Sequence, residues 1–327
     1  MDAALATPPS AKRSKNRRRL GGLAGRTAIV RRVLRAATIA LLPVLSYPAK
    51  ISAAADSVAR GAYLAAAAGC DQCHTDAEHG GRPYAGGRAL QTPYGIIYPP
   101  NITPDRETGI GRWRPGDFER ALRWGIAPDD SHYFPVFPFP FYNRLIDQDV
   151  ADLKSFLDNV ASVSRIDRAA DASVFSAARA RAAITVIGEP FPGPWTPDPS
   201  RDPIWNRGAY LVATVGRCGD CHTPRNLLGV REVARVLSGN SAGPGGKLVP
   251  NITPDPQTGI GDWSVEDIVT LLNTGQTPEF DFVGGAMAEI VRNTSRLDEG
   301  DRRAIAVYLK SLPPIGSQKK GPHKEDR

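Results

Sequence analysis

Cysteine is scarce in this chain. Among 327 residues there are four, Cys70, Cys73, Cys218 and Cys221, and none lies outside two C-x-x-C pairs. Methionine is scarcer still, at two, and histidine numbers five. Aromatic residues make up 7% of the chain, against 32 Gly and 29 Pro, a balance that suits loop-rich domains rather than a core of large side chains. No hydride-cofactor fingerprint, no Ser-His-Asp set and no metal-hydrolase motif occurs, so no substrate site of those classes can be read. Long apolar runs are lacking too. The stretch from Ala36 to Leu45 is too short to cross a bilayer comfortably.

Acidic residues are nearly absent from the first 55 positions, which hold eleven Lys or Arg and one acid, Asp2. That segment is therefore +10; the whole chain is +7, so the remainder is −3. The basic character belongs to the N-terminal segment, and no nucleic-acid partner is expected of the rest. A positive stretch, an apolar run and the small residues Ala53, Ala54 and Ala55 before Asp56 follow the order of an export signal with an A-x-A cleavage site. Residues 1–55 are read as that signal. The destination is the periplasm, or the periplasmic face of the cytoplasmic membrane. An uncleaved anchor is the alternative.

What is present is more telling. Cys70-Asp-Gln-Cys73-His74 and Cys218-Gly-Asp-Cys221-His222 are both C-x-x-C-H strings. Two thiols at this spacing reach the two vinyl groups of one haem and form thioethers. The His that follows is set beneath the iron as its proximal ligand. A redox disulfide explains the cysteines and leaves the repeated His unexplained. A zinc site pooling both pairs leaves both His idle and needs the two halves to converge. The expectation is two covalently bound haem c groups. Cys70 and Cys73 hold one, Cys218 and Cys221 the other, with His74 and His222 as proximal iron ligands.

The chain also repeats itself. Arg60-Gly-Ala-Tyr-Leu64 recurs as Arg207-Gly-Ala-Tyr-Leu211, and Pro100-Asn-Ile-Thr-Pro-Asp105 as Pro250-Asn-Ile-Thr-Pro-Asp255. Thr108-Gly-Ile-Gly111 and Trp113 recur as Thr258-Gly-Ile-Gly261 and Trp263. Each repeat predicts a helix before the string, over 57–68 and 204–215. A second starts at Pro115 or after Ser264, where Asp267 completes a capping pair. A last helix runs over 147–160 or 298–312, with Val150, Leu153, Phe156 and Leu157 on one face. The fold class is all-α: two tandem cytochrome c domains, residues 56–163 and 205–314, each a small helical domain around one covalent haem. Residues 164–204 are a linker ending in the Pro-rich run Glu189–Trp195, read as a stiff spacer or a strap, and 315–327 are a disordered tail. Asn101 and Asn251 open N-x-Thr sequons, but the repeat itself explains them as structural loop residues.

An electron-passing haem needs a second axial ligand, and Met is the usual one. Met1 leaves with the signal. Met287, in Gly284-Gly-Ala-Met-Ala-Glu289, is the distal ligand of the second haem. An offset of 150 from Met287 lands on Phe137, which cannot bind iron. His132, five residues earlier, is the candidate distal ligand of the first haem; the alternative is a surface-loop His beside an open iron. His79 is too close to His74 to reach the opposite face, and His323 lies in the tail.

These motifs resemble the class I di-haem c-type cytochrome subunits of bacterial membrane-associated dehydrogenases of the alcohol, gluconate, aldehyde and nicotinate type. The resemblance covers residues 57–313 and rests on the two strings, the paired Asn-Ile-Thr-Pro-Asp…Thr-Gly-Ile-Gly segments, Met287-Ala-Glu, and the closing Ala304-Ile-Ala-Val-Tyr-Leu-Lys-Ser-Leu312. The family's Tyr-Pro-Ala-Met-Pro-Tyr run stands here as Tyr133-Phe-Pro-Val-Phe-Pro-Phe139, and similar cytochromes with Phe in that place often keep a His before the run. The resemblance implies electron transfer from a partner dehydrogenase's catalytic subunit, of molybdenum, flavin or quinoprotein type, to a quinone, cytochrome or oxidase. It implies association with the membrane, and a subunit rather than a stand-alone enzyme. The alternative is a haem enzyme, peroxidase-like or thiosulfate-oxidising, that uses an open first haem.

Overall fold

The computed structural model describes residues 47–92, 94–171, 192–226 and 230–317, with the backbone alone for 47–53 and 244. Ser52–Arg327 form one compact unit, and Met1–Ile51 fall outside it. Residues 1–46 of the expected export signal, 172–191 of the expected linker and the expected tail from 318 lie outside the described residues.

The unit is mostly helical, and its helices follow local chemistry. Helix α1, Tyr47–Ala68, begins well before the expected start at Ser57. The run Ala53–Ala55, read above as a cleavage site, is made of the best helix former and continues the helix. Gly69, at φ 67°, ends it and leads into α2, Cys70–Cys73. Helix α3, Pro115–Trp124, opens with Pro at its first position and stops at Gly125 in the left-handed region. Helices α4, Phe139–Tyr142, and α5, Asp147–Asn159, complete the first half. Val150, Leu153 and Leu157 of α5 are buried, as their spacing predicts. A two-stranded antiparallel hairpin, β1 (Leu90–Thr92) and β2 (Gly95–Ile97), departs from the all-α expectation. The β-branched pair Ile96-Ile97 after a glycine suits it.

The second half repeats the plan. Helix α6, Pro203–Tyr210, is capped by Asp202, and α7, Cys218–His222, carries the string. Between them Leu211–Val215 wind as a π-helix. From Tyr63 to Cys70 is one residue shorter than from Tyr210 to Cys218, and the π turn absorbs the extra residue. Helix α8, Val265–Thr274, opens with the Ser264–Asp267 capping box and closes at Gly275. Helix α9, Gly285–Thr294, forms where the sequence marks only the segment carrying Met287, and α10, Glu299–Ser311, ends the plan.

Two close crossings organise the unit. A Cβ on Gly61 of α1 would stand 1.9 Å from the Asp152 carbonyl oxygen of α5; one on Gly208 of α6 would stand 1.9 Å from that of Ala304 on α10. Only glycine lets the backbones approach so far. The preceding arginines pin the crossings: Arg60 Nε donates to Asp152 at 2.6 Å, and Arg207 Nε to Asp301 at 2.7 Å. The next-but-one tyrosines then join the halves reciprocally. Tyr63 Oη donates to Asp301 Oδ2 (2.7 Å) and accepts from Asp298 N (3.1 Å). Tyr210 Oη donates to Asp149 Oδ2 (2.5 Å) and accepts from Ile146 N (3.4 Å). Trp195 straps the same seam. Its backbone N donates to Arg144 O at 2.9 Å, and its ring lies 6.2 Å from that of Tyr210.

Candidate functional site

Each C-x-x-C-H string sits on a short helix entered through a left-handed residue, Gly69 or Arg217. Cys70 and Cys73 begin and end α2, and Cys218 and His222 begin and end α7. His74 Nδ1 lies 2.8 Å from Pro100 O, and His222 Nδ1 lies 2.8 Å from Pro250 O. A carbonyl oxygen only accepts, so each Nδ1 carries the proton and donates it. Nε2 is then the nitrogen with the available lone pair. Burial pulls both imidazoles below their ordinary pKa, against the pull of the carbonyl, and this keeps them neutral. A neutral imidazole oriented by a backbone carbonyl is the standard arrangement of a metal-ligating His.

The Asn-Ile-Thr-Pro-Asp segments hold those carbonyls in place. Asn101 is buried; its Nδ2 donates to Thr108 Oγ1 (3.1 Å) and Val163 O (2.7 Å), and its Oδ1 accepts from Thr103 N (3.0 Å) and Oγ1 (2.7 Å). Asn251 repeats this with Thr258 (3.0 Å), Ile315 O (2.7 Å) and Thr253 N and Oγ1 (both 2.8 Å). Both amides are spent on the fold, which answers the sequon question. The sequence repeat marked these residues without revealing their task, which is to position the residue before them.

Neither pair has the lowered thiol of a redox site. Burial pushes Cys70 up to about 12 and Cys218 up to about 11. A redox C-x-x-C pair needs a lowered thiol. Nor do the two strings merge: among the described residues no three His, Cys, Asp or Glu side chains converge as a metal site.

Met287 lies in the first turn of α9, half-buried. The apolar cluster of the described residues takes in Phe137 and leaves out Met287. Phe137 lies edge-on to Tyr133 (5.7 Å) and tilted against Tyr142 (5.8 Å). The offset of 150 holds where Tyr133 N meets Gly125 O and Val283 N meets Gly275 O. It has become 152 where Phe139 and Val291 cover those same glycines. Met287 therefore corresponds to a place within Pro135-Val136-Phe137, none of which has a ligand atom. His132 is exposed and pairs through its backbone with Ile126, as Phe282 pairs with Gln276. His79, also exposed, meets Asp76.

Over 278 residues, 84% of this chain and 92% of the relative, the sequence is 41% identical to a diheme cytochrome c-type protein of Cereibacter sphaeroides. The chain belongs to the diheme cytochrome c-type family. This family member is also 39% identical over 271 residues to the fructose dehydrogenase cytochrome subunit of Gluconobacter japonicus, covering 81% of this chain and 54% of that subunit. It is 37% identical over 264 residues to the gluconate 2-dehydrogenase cytochrome c subunit of Pantoea cypripedii, covering 78% of this chain and 59% of that subunit. The chain thus spans little more than half the length of either dehydrogenase subunit. No family model matches it.

The residues present fit covalent haem at both strings: two thiols at the thioether spacing, then a neutral His tied at Nδ1. Among the described residues no helix is long and apolar enough to cross a membrane.

Proposed function

We propose that this diheme cytochrome c-type protein is a two-haem carrier of single electrons. The carrying observation is the repeated His Nδ1–carbonyl bond, which holds His74 and His222 ready to ligate through Nε2. Cys70 and Cys73 attach one haem, Cys218 and Cys221 the other, within haem domains 56–163 and 205–314. Bound there, each haem c supplies a one-electron iron couple. Met287 closes the second site with a thioether sulfur, and His132 is the candidate for the first. Residues 1–55 direct the chain to the periplasm. The names of the relatives support a dehydrogenase catalytic subunit as the electron donor. A quinone, cytochrome or oxidase then takes the electrons.

The test is direct. The exported chain should carry two haems that survive acid–acetone extraction and should be reduced when mixed with its dehydrogenase and substrate. An intact mass showing fewer than two haems rejects the reading. One observation favours a second reading, a haem enzyme: His132, the candidate distal ligand of the first haem, is exposed. Turnover of peroxide or thiosulfate by the purified chain alone would select it.

A further inference from the structure

One guanidinium stands between the two strings. Arg217 immediately precedes Cys218 and adopts a left-handed conformation, φ 50°. Gly69, φ 67°, fills the same place before Cys70. A side chain is disfavoured there, so the second half keeps strain that glycine would relieve. The side chain of Arg217 crosses to the first half. Its Nη2 donates to Ala68 O, at the end of α1, at 3.3 Å, and its guanidinium lies 5.6 Å from the ring centroid of buried Tyr142. Its Nε is buried and has no hydrogen-bond partner among the described residues. This single long hydrogen bond is a poor reason to hold an arginine in strained backbone.

Its charge has a better one. Arg217 is placed at both strings: it adjoins Cys218, and its Nη2 lies 3.3 Å from Ala68 O, two residues before Cys70. Of the acids nearby, Asp220 bonds to Arg225 at 2.6 Å and Asp71 Oδ2 to Arg296 at 3.0 Å.

Resting on the attachment of haem at both strings, we propose that Arg217 is a fixed cation shared by the two haem sites, which raises the reduction potential of both. A reduced iron site carries one positive charge fewer than an oxidised one, so a nearby cation favours the reduced state. Arg217 acts through the haems as a tuning residue and does not itself carry the electron.

Two variants of the full exported chain test this. Arg217→Gly deletes the charge and gives the backbone the residue that position 69 already has. Arg217→Lys keeps the charge. Haem content is measured first by intact mass, then both midpoint potentials by spectroelectrochemical titration, with ferric and ferrous spectra reporting ligation. In Arg217→Gly two haems and unchanged ligation spectra are expected. The reduced-to-oxidised ratio at a fixed poise should fall about tenfold at each haem, about 59 mV for a one-electron couple. Arg217→Lys should stay close to wild type. The proposal is overturned if Arg217→Gly leaves either potential in place, or if Arg217→Lys falls as far as Arg217→Gly. A wild-type chain with fewer than two haems rejects the attachment itself, and this inference with it.

Discussion

Asn251→Ala tests how the Asn-Ile-Thr-Pro-Asp segment works. Asn251 is 3% exposed and makes four hydrogen bonds, two given and two received. Truncation costs most at the Thr253 N–H, because Thr253 is 1% exposed and that donor has no other partner to turn to. The Ile315 carbonyl suffers less, since it also accepts from Thr253 Oγ1 at 3.0 Å. One buried donor left unmade costs about 1–3 kcal/mol, and the three remaining bonds about 0.5–1.5 kcal/mol each, so a total of about 2.5–7.5 kcal/mol is expected. That is a large share of the roughly 5–15 kcal/mol that holds a protein folded. A guanidinium titration of the holoprotein measures it. A second readout is local. The variant should loosen the Pro250 carbonyl and so weaken the bond that would make His222 a stronger donor to a haem iron. The second haem's potential should therefore rise while the first stays put, and Asn101→Ala should do the reverse. A stability loss below about 1 kcal/mol, or equal potential shifts at both haems, would refute the reasoning.

Met287→Ala should abolish the weak long-wavelength absorption of a ferric iron–thioether bond and lower one potential only; a retained band sinks the assignment. For His132, electron paramagnetic resonance of the ferric protein decides between ligation and an open iron. If His132→Ala turns one low-spin signal high-spin, it ligates; if the spectrum matches wild type, it is a loop residue. The two inter-half carboxylates should respond oppositely to pH. Burial pushes Asp301 up, but hydrogen bonds from Arg207 and Tyr63 overcome this and hold it below its ordinary value of 3.8. Its stabilisation is therefore full above that value and lost as pH falls through the lower folded one. Asp301→Asn should cost about 1–2 kcal/mol at neutral pH and flatten the acid limb of the stability profile. Burial raises Asp149 despite the Tyr210 bond, so its charge costs stability until acid protonates it. Asp149→Asn should be neutral or stabilising at neutral pH; equal losses in the two variants, read by denaturant titration across pH, would contradict this.

Local chemistry made much of this protein legible. The thiol spacing and the following His are covalent facts that need no fold. Pro115, the Ser264–Asp267 box and the apolar stripe of α5 mark helices through capping and periodicity, which act within a few residues. Helix α9 was harder to read because its Gly-Gly start and short polar sequence carry no such signal. The two-residue change of register beside Met287 was hidden for a related reason. The offset is 150 through Gly125 and 151–152 at the last helices, and only packing against Gly125 and Gly275 places the change beside Met287.

The sequence by itself determined which atoms could attach haem, where the repeat lies and which faces must be buried. Only the tertiary structure decided what those atoms meet. It chose the Pro100 and Pro250 carbonyls for the two histidines, crossed Tyr63 and Tyr210 onto the opposite halves, and laid Arg217 beneath Ala68. Such partners are distant in the chain, and two similar halves present similar surfaces. Which half a side chain meets is set by how the whole unit packs, and that choice leaves no periodic mark along the sequence.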